Sequence, residues 1–324
     1  MVGTQRSGSN MLRLMLAQLG VFAPPSTHLI ADFRPMSVSY LGPGGLGLGR
    51  LVEDVLAMVK VNVLAWPDGP PEVGDVLKRC RRADLGEVFR AVYDAGAARC
   101  GRTHWVSKDL ENMHHADLVQ AAATDIRVMH LVRDPRDVAL SFASAPIGPK
   151  DPRVIGRAWA RDQAAAARWR QRAPADHWRE VRYEALVADA EGELGRICTF
   201  LGLPFREDAL AFHRRDDAIG APRLSALWMN LDSPVLADNV GKYRRPEHRE
   251  FVSLVEEAAA ESLRDHGYSP AQTLTERVYS PEELAAIHAR DEALRQLARD
   301  RVDPAVEARH RRRDGVLQRL RTQR

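Results

Sequence analysis

The sequence predicts an α/β fold, in which a central parallel sheet lies between two helical layers and a helical extension follows at the C-terminus. Three features predict it. Short apolar strand candidates alternate with longer helical segments, the pattern that buries a parallel sheet on both faces. Residues 1–4, the turn Gln5-Arg6-Ser7-Gly8-Ser9-Asn10 and an apolar segment over 11–19 form half of a βαβ unit. After Gly267-Tyr268-Ser269-Pro270 the pattern changes to polar helices with one narrow apolar seam.

Residues 1–4 fit only a short strand, near the lower length limit, as expected if the true start lies upstream of Met1. The following turn has Gly8 at its middle. Residues 11–19 are apolar on nearly every helical face and are expected to be buried. Residues 23–49 carry Pro24-Pro25 and Gly42-Pro43-Gly44-Gly45, which is loop chemistry suited to lining a site. Residues 51–63 and 73–98 read as largely helical. Trp105-Val106-Ser107 is a second short strand candidate, and Lys108 follows it. Residues 126–132 are the clearest strand, broken by Arg133-Asp134-Pro135-Arg136-Asp137. Residues 155–171 place Ile155, Trp159, Ala166 and Trp169 at helical spacing, a packing stripe. A strand over 178–183 and a helix over 191–201 complete the compact part, and His130 is expected to be a core residue of its strand.

This divides the chain into a domain over 1–270 and an extension over 271–324. Ser280-Pro281-Glu282-Glu283 is a helix start, with a capping Ser, Pro in the first turn and Glu three residues after the cap. Leu284, Ile287, Leu294 and Leu297 form its seam, on which a second subunit could pack as a homodimer. The arginines of the basic end read as a solvated helix face.

Composition narrows the function. At 45% hydrophobic and 28% charged residues the chain is globular rather than disordered. Its 47 Lys and Arg against 44 Asp and Glu leave a net charge of +3, which does not point to nucleic acid. Cys80, Cys100 and Cys198 are too few and too widely spaced for a disulfide framework, and fit a reducing cytoplasm. No apolar run reaches about 18 residues and no charged leader precedes an apolar stretch, so neither a transmembrane segment nor a secretory signal is expected.

Two constellations could carry chemistry. A small-residue turn entering a helix presents unpaired N–H groups and the positive end of the helix dipole, and so binds anions. Ser7, Gly8 and Ser9 let the backbone curl, and Arg6 adds a fixed positive charge. The turn lacks the GxxxxGK[ST] spacing of nucleoside triphosphatases, which counts against a P-loop kinase. The second constellation is Arg133 at the carboxyl end of a parallel strand, where open α/β sheets bind ligands, with Ser141 eight residues on. A guanidinium and a hydroxyl so placed can grip one phosphate from two sides.

Together these match a family. Gly3-Thr4-Gln5-Arg6-Ser7-Gly8-Ser9-Asn10 resembles the 5′-phosphosulfate loop of sulfotransferases, in the form bearing Arg where many cytosolic members bear Lys. Leu131-Val132-Arg133-Asp134-Pro135-Arg136-Asp137, followed by Ser141, resembles their 3′-phosphate motif. Arg182-Tyr183-Glu184-Ala185-Leu186-Val187, Ile197-Cys198-Thr199-Phe200-Leu201-Gly202-Leu203-Pro204 and Gly241-Lys242-Tyr243-Arg244-Arg245 resemble the segments that come next, in order. The likeness covers residues 2–268.

The resemblance implies a P-loop-like three-layer fold that holds 3′-phosphoadenosine 5′-phosphosulfate (PAPS) and moves its sulfuryl group to an acceptor hydroxyl or amine. The acceptor is expected to be a small molecule, lipid or carbohydrate. By the same resemblance Arg6, Ser7, Gly8, Ser9 and Asn10 hold the 5′-phosphosulfate, Arg133 and Ser141 hold the 3′-phosphate, and Tyr183 lies near the adenine. Lys108 resembles the lysine that some members aim at the bridging oxygen. The closing loop departs from the commoner Arg-Lys-Gly form, so Trp228-Met229-Asn230 and Gly241-Lys242-Tyr243 both remain candidates for the 3′-phosphate.

In relatives the base is often a His or Glu in the loop after the first helix. His28 is the first candidate, because an imidazole titrates near neutrality, and Asp32 is the second. No acidic pair with metal-ligand spacing accompanies the loop, so no metal is expected. His114-His115, as adjacent residues, do not face one direction and read as solvent-facing or acceptor-lining. The alternative to an enzyme is a PAPS-binding regulatory or scaffold protein that keeps the fold and has lost transfer.

Overall fold

A computed structural model describes residues 1–66, 68–123, 125–146, 148–219, 230–270 and 277–322. Over these the chain is mostly helical, wrapped around a parallel sheet of three strands. The strands are β1 (Val2–Gly3), β2 (Val128–Val132) and β3 (Trp178–Arg182), in that spatial order. Val2 pairs with His130, and Val128 with Trp178.

β2 is central and buried at all five positions. Successive side chains of a strand face opposite ways, and β2 obeys this. Val128 joins a core with Val2, Ala165 and Trp169, whereas Met129 and Leu131 join one with Leu12, Leu16, Leu194 and Ile197. One face is thus covered by α6 (Pro152–Arg170), and the other by α1 (Ser9–Gln18) and α7 (Ala190–Leu201). Trp159 and Trp169 are buried core residues, as their spacing predicts. His130 is also buried, its ring 5.6 Å from that of Trp178, and burial lowers its pKa to about 4. It is a neutral core imidazole.

Two elements depart from the sequence reading. Trp105 forms a single parallel bridge with Phe22 in place of a strand. The Phe22 N–H donates to the His104 carbonyl at 2.8 Å, and Val106 N–H to the Phe22 carbonyl at 2.9 Å. The ladder stops there because Pro24 and Pro25 have no N–H to continue it. The helical stretch over 73–98 is interrupted: Val73–Leu77 is one short helix and α4 (Leu85–Arg99) another. Asp84 starts α4 by accepting the Glu87 N–H at 2.8 Å.

The remaining elements that bear on the site are α2 (Leu29–Phe33), α3 (Gly47–Lys60), α5 (Pro135–Ala143) and α8 (Arg249–Asp265). α8 packs closely on α6 at Gly156, where a Cβ would lie 2.8 Å from the Val255 carbonyl. α9 (Pro281–Arg299) begins with the expected capping box between Ser280 and Glu283, and α10 (Pro304–Thr322) ends the described chain. The α9 seam is divided, since Ile287 is buried within the chain and Leu297 is exposed. Leu317 and Leu320 of α10 enter the main core with residues of α3. No helix among the described residues is long and apolar enough to cross a membrane.

Candidate active site

The turn between β1 and α1 is held by unusual backbone geometry. Gly3 has φ +140, and a Cβ there would lie 2.3 Å from the Leu131 carbonyl oxygen, so glycine lets β1 lie flat on β2. Arg6 and Gly8 have φ +70 and +85, which turn the chain back on itself. Gly8 is the N-cap of α1 and supplies no side-chain cap, which leaves the first-turn N–H groups without one. A Cβ on Gly8 would lie 2.5 Å from the Tyr183 ring. Strain of this kind persists only where the surroundings hold it, and it concentrates at functional sites.

The loop after β2 meets this turn. Arg133 donates from Nη1 to the Arg6 carbonyl at 2.7 Å and from Nη2 to the Asn239 carbonyl at 2.6 Å. Its guanidinium lies 4.3 Å from the centroid of the Tyr183 ring. Arg6 in turn donates from Nε to Ser141 Oγ at 3.0 Å. Residues 6, 133, 141 and 183, distant in sequence, thus form one contact group at the carboxyl edge of the sheet. Burial, and then the neighbouring Arg133, lower the Arg6 pKa to about 10. The group is a concentrated positive charge.

Carboxylates behind the group hold the loops that carry it. Asp134 caps α5 and, with Glu256, holds the buried Arg136 at 2.7 Å on each side. The Asp137 carboxylate accepts the N–H of Gly241 at 2.6 Å and of Tyr243 at 3.1 Å. Gly241 is therefore a tether to α5. Lys242 reaches the cleft, and its Nζ donates to Asn239 Oδ1 at 2.6 Å. Trp228 and Met229 lie outside the described residues. Ser7 Oγ, Asn10 Oδ1 and Arg133 Nε are buried with no hydrogen-bond partner among the described residues. Polar atoms left this way are costly unless a ligand uses them.

Arg6, Gly8, Ser9, Asn10, Arg133, Ser141, Tyr183 and Lys242 line a cleft of about 930 Å³, which His28, Lys108 and Glu111 also line. His28, with φ +57, is bonded through Nδ1 to Glu111. Burial alone would push His28 down, but the Glu111 carboxylate and then Asp109 outweigh it and raise its pKa above 6.5. Lys108 is lowered to about 8, chiefly by burial and then by Arg13. Asp32, the second candidate base, is buried and paired with Arg313 of α10, which occupies its carboxylate.

Ligand atoms of His28, Asp109 and Glu111 lie within 4.8 Å of one another. Asp109, however, already accepts from Thr27 N and Oγ1 at 2.7 Å each, His28 N at 3.0 Å, Tyr93 at 3.2 Å and Ser107 at 3.3 Å. Five donors on one carboxylate make it the anchor of the His28 loop, a donor set unlike that of a cation site.

Glu111, Asp109, Asp137 and Arg313 are site residues that the sequence reading did not identify. Glu111 had a local signal, three residues after Lys108. Two expectations are corrected. His114 bonds Asp162 at 2.9 Å and His115 bonds Arg34 at 3.1 Å, both half-buried away from the cleft. Arg311 and Arg312 are exposed as expected, but Arg313 is only 14% exposed and lines the cleft.

Comparison with the curated proteins finds no match. Solved structures that share the fold include two sulfotransferase domains. The sulfotransferase domain from the Synechococcus PCC 7002 olefin synthase is 21% identical with a TM-score of 0.55, covering 83% of this chain and 94% of that one. The sulfotransferase domain from the curacin biosynthetic pathway is 20% identical, also with a TM-score of 0.55, covering 83% of this chain and 96% of that one. The model of the sulfotransferase family matches residues 1–207, well over half of the sequence. With this match over the stretch that builds the Arg6–Arg133–Ser141 group, the chain belongs to the sulfotransferase family.

Proposed function

We propose that this protein transfers the sulfuryl group of PAPS to an acceptor hydroxyl of a small molecule, lipid or carbohydrate. The observation that carries the reading is the contact group of Arg6, Arg133, Ser141 and Tyr183, beside which buried Ser7 Oγ, Asn10 Oδ1 and Arg133 Nε have no hydrogen-bond partner among the described residues. In the proposed complex the α1 turn with Arg6, Ser7, Gly8, Ser9 and Asn10 holds the 5′-phosphosulfate. Arg133, Ser141 and Lys242 hold the 3′-phosphate, Gly241 presents Lys242, and Tyr183 supports the adenosine.

In-line transfer breaks the bond from sulfur to the bridging oxygen and forms one to the acceptor oxygen. The acceptor proton goes to His28, and 3′,5′-bisphosphoadenosine leaves. With Nδ1–H held by Glu111, Nε2 is the nitrogen that takes the proton. Arg6 and Lys108 offset the negative charge that builds on the leaving oxygen, so positioning and electrostatics supply most of the catalysis. No metal enters this scheme.

The experiment is thermal shift with bisphosphoadenosine against ATP–magnesium, followed by transfer of ³⁵S from PAPS to a panel of phenols, alkanols and sugars. Bisphosphoadenosine should stabilise the chain, and Arg133→Ala should weaken that binding by about 10- to 150-fold, the scale of a charge-assisted hydrogen bond. Stabilisation by ATP–magnesium alone rejects the reading. Donor binding without transfer favours a non-catalytic binder. Gly8→Ala is expected to weaken bisphosphoadenosine binding more than tenfold, as measured by calorimetry. Its methyl must displace the Tyr183 ring from beneath Arg133, and it adopts a φ that costs about 1 kcal/mol.

A further inference from the structure

Residues 277–322 lie beyond the span of the family match, yet they reach the cleft region at two points. The buried Asp291 carboxylate of α9 accepts the N–H of Lys150 at 2.6 Å and of Asp151 at 2.8 Å. This anchors the end of the segment after Ser141, in which Phe142, Ala145 and Gly148 line the cleft. At the other point, α10 is fixed by Leu317 and Leu320 in the core and presents His310, Arg313 and Asp314 to the cleft. Arg313 pairs with Asp32, four residues after His28, and its Nη2 donates to the Thr27 carbonyl at 3.4 Å.

The His28 loop is gripped from both sides. Asp109 accepts the N–H groups of Thr27 and His28, while Arg313 binds the Thr27 carbonyl and the Asp32 carboxylate. His28 itself has a left-handed backbone that its own side chain disfavours. Removing either grip frees the strained residue to relax. Removing Arg313 also leaves the buried Asp32 carboxylate without its cation, and breaking a buried pair from one side costs more than the pair contributes.

We propose that α10 forms the acceptor wall of the cleft and that Arg313 is a positioning residue, which holds His28 in place for proton abstraction. The proposal rests on the reading of His28 as the base. The charged groups facing His28 are Glu111 and Asp109 from the segment after Lys108, Asp32 on its own helix, and Arg313 from α10. Arg313 is the cation among them and opposes their effect on the imidazole.

The test uses the full chain, with and without bisphosphoadenosine. It combines amide hydrogen exchange over residues 27–33, NMR titration of the His28 ring, and nucleotide affinity by calorimetry. Arg313→Met keeps the apolar stem and removes the charge. It should accelerate exchange over 27–33 at least about tenfold, move His28 titration to higher pH, and leave the nucleotide Kd within about twofold of the parent, because Arg313 is outside the proposed donor cradle. Arg313→Lys should restore both the His28 titration and slow exchange in part, since both bonds leave the single atom Nη2 and an ammonium keeps the charge and the donors. Asp32→Asn removes the same pair from the other side and should also accelerate exchange over 27–33. That variant carries the test if Arg313→Met does not fold. Unchanged exchange in both variants overturns the proposal and leaves α10 as packing. A nucleotide Kd raised more than tenfold by Arg313→Met overturns it too, by assigning the helix to the donor side. Failure of the parent chain to bind the nucleotide counts against the donor assignment alone, because the exchange experiment reads the Arg313 link without ligand.

Discussion

Replacing His28 with Gln is expected to lower kcat for sulfuryl transfer by about 10²- to 10⁴-fold, the range for losing a general base, while bisphosphoadenosine still binds. The imidazole's Nδ1 is committed to Glu111, and the ring lines the cleft that holds Arg6 and Lys108. The sign of the pH dependence follows from the raised His28 pKa. The base must be neutral, so kcat/KM should rise with pH through a midpoint above 6.5. The alkaline limb should fall near 8, where the free enzyme's Lys108 loses its charge. Bound donor, being anionic, holds that lysine protonated and moves the alkaline limb of kcat upward. In Glu111→Gln the acid limb should shift to lower pH, because burial then outweighs what remains of the raising charge. The stability linkage has the matching sign: the His28–Glu111 pair contributes fully between about 4.5 and 6.5, and its contribution is lost as pH rises through the folded His28 pKa or falls through the lowered Glu111 pKa. A flat profile across this range, or an active His28→Gln enzyme, removes His28 from the chemistry.

How much of this was legible beforehand depended on the range over which each signal acts. The turn at Gly8, the break at Arg133-Asp134-Pro135 and the cap at Ser280 are local, since each is specified by a few adjacent residues, and each is found where the sequence puts it. The helix over 73–98 was read as too continuous because apolar spacing outweighed the Asp84 cap, a local signal that could have been used. The strand at Trp105 failed because its partner, Phe22, lies 83 residues earlier in the chain and is followed by Ala23 and then Pro24-Pro25, which end the ladder after one bridge. Glu111 and Arg313 meet His28 and Asp32 across separations of 83 and 281 residues. Periodicity cannot report contacts of that kind. The basic end looked solvated because arginine usually is, and only the fold shows that one guanidinium of that run is half-buried against a carboxylate.

The second large effect is expected at Arg6, where function and stability should separate. Arg6→Gly should lower kcat by about 10²- to 10³-fold, the scale of removing one preorganised donor from developing negative charge. Its melting temperature should equal or exceed that of the parent. At φ +70 an L-residue pays about 1 kcal/mol that glycine does not, and this is roughly offset by glycine's extra freedom in the unfolded chain. The remaining difference sets the lost side-chain bonds of Arg6, that to Ser141 among them, against electrostatics, and the electrostatic part is expected to match or exceed them. Arg6 is held near Arg133, and burial together with that like charge lowers its pKa to about 10, so the unliganded fold carries a repulsion that deletion relieves. The Arg133 bond to residue 6 goes to its carbonyl, which glycine retains. Arg6→Ala keeps the backbone strain and removes only the side chain, so it should be as inactive as Arg6→Gly but less stable. Arg6→Lys keeps a charge but not the Nε–H that reaches Ser141 at 3.0 Å, and should recover only part of kcat. Calorimetry and single-turnover transfer on the three variants check this ordering. A clear fall in melting temperature for Arg6→Gly would make Arg6 a structural residue, whereas an unchanged or higher value with lost transfer is what a strained, anion-seeking guanidinium requires.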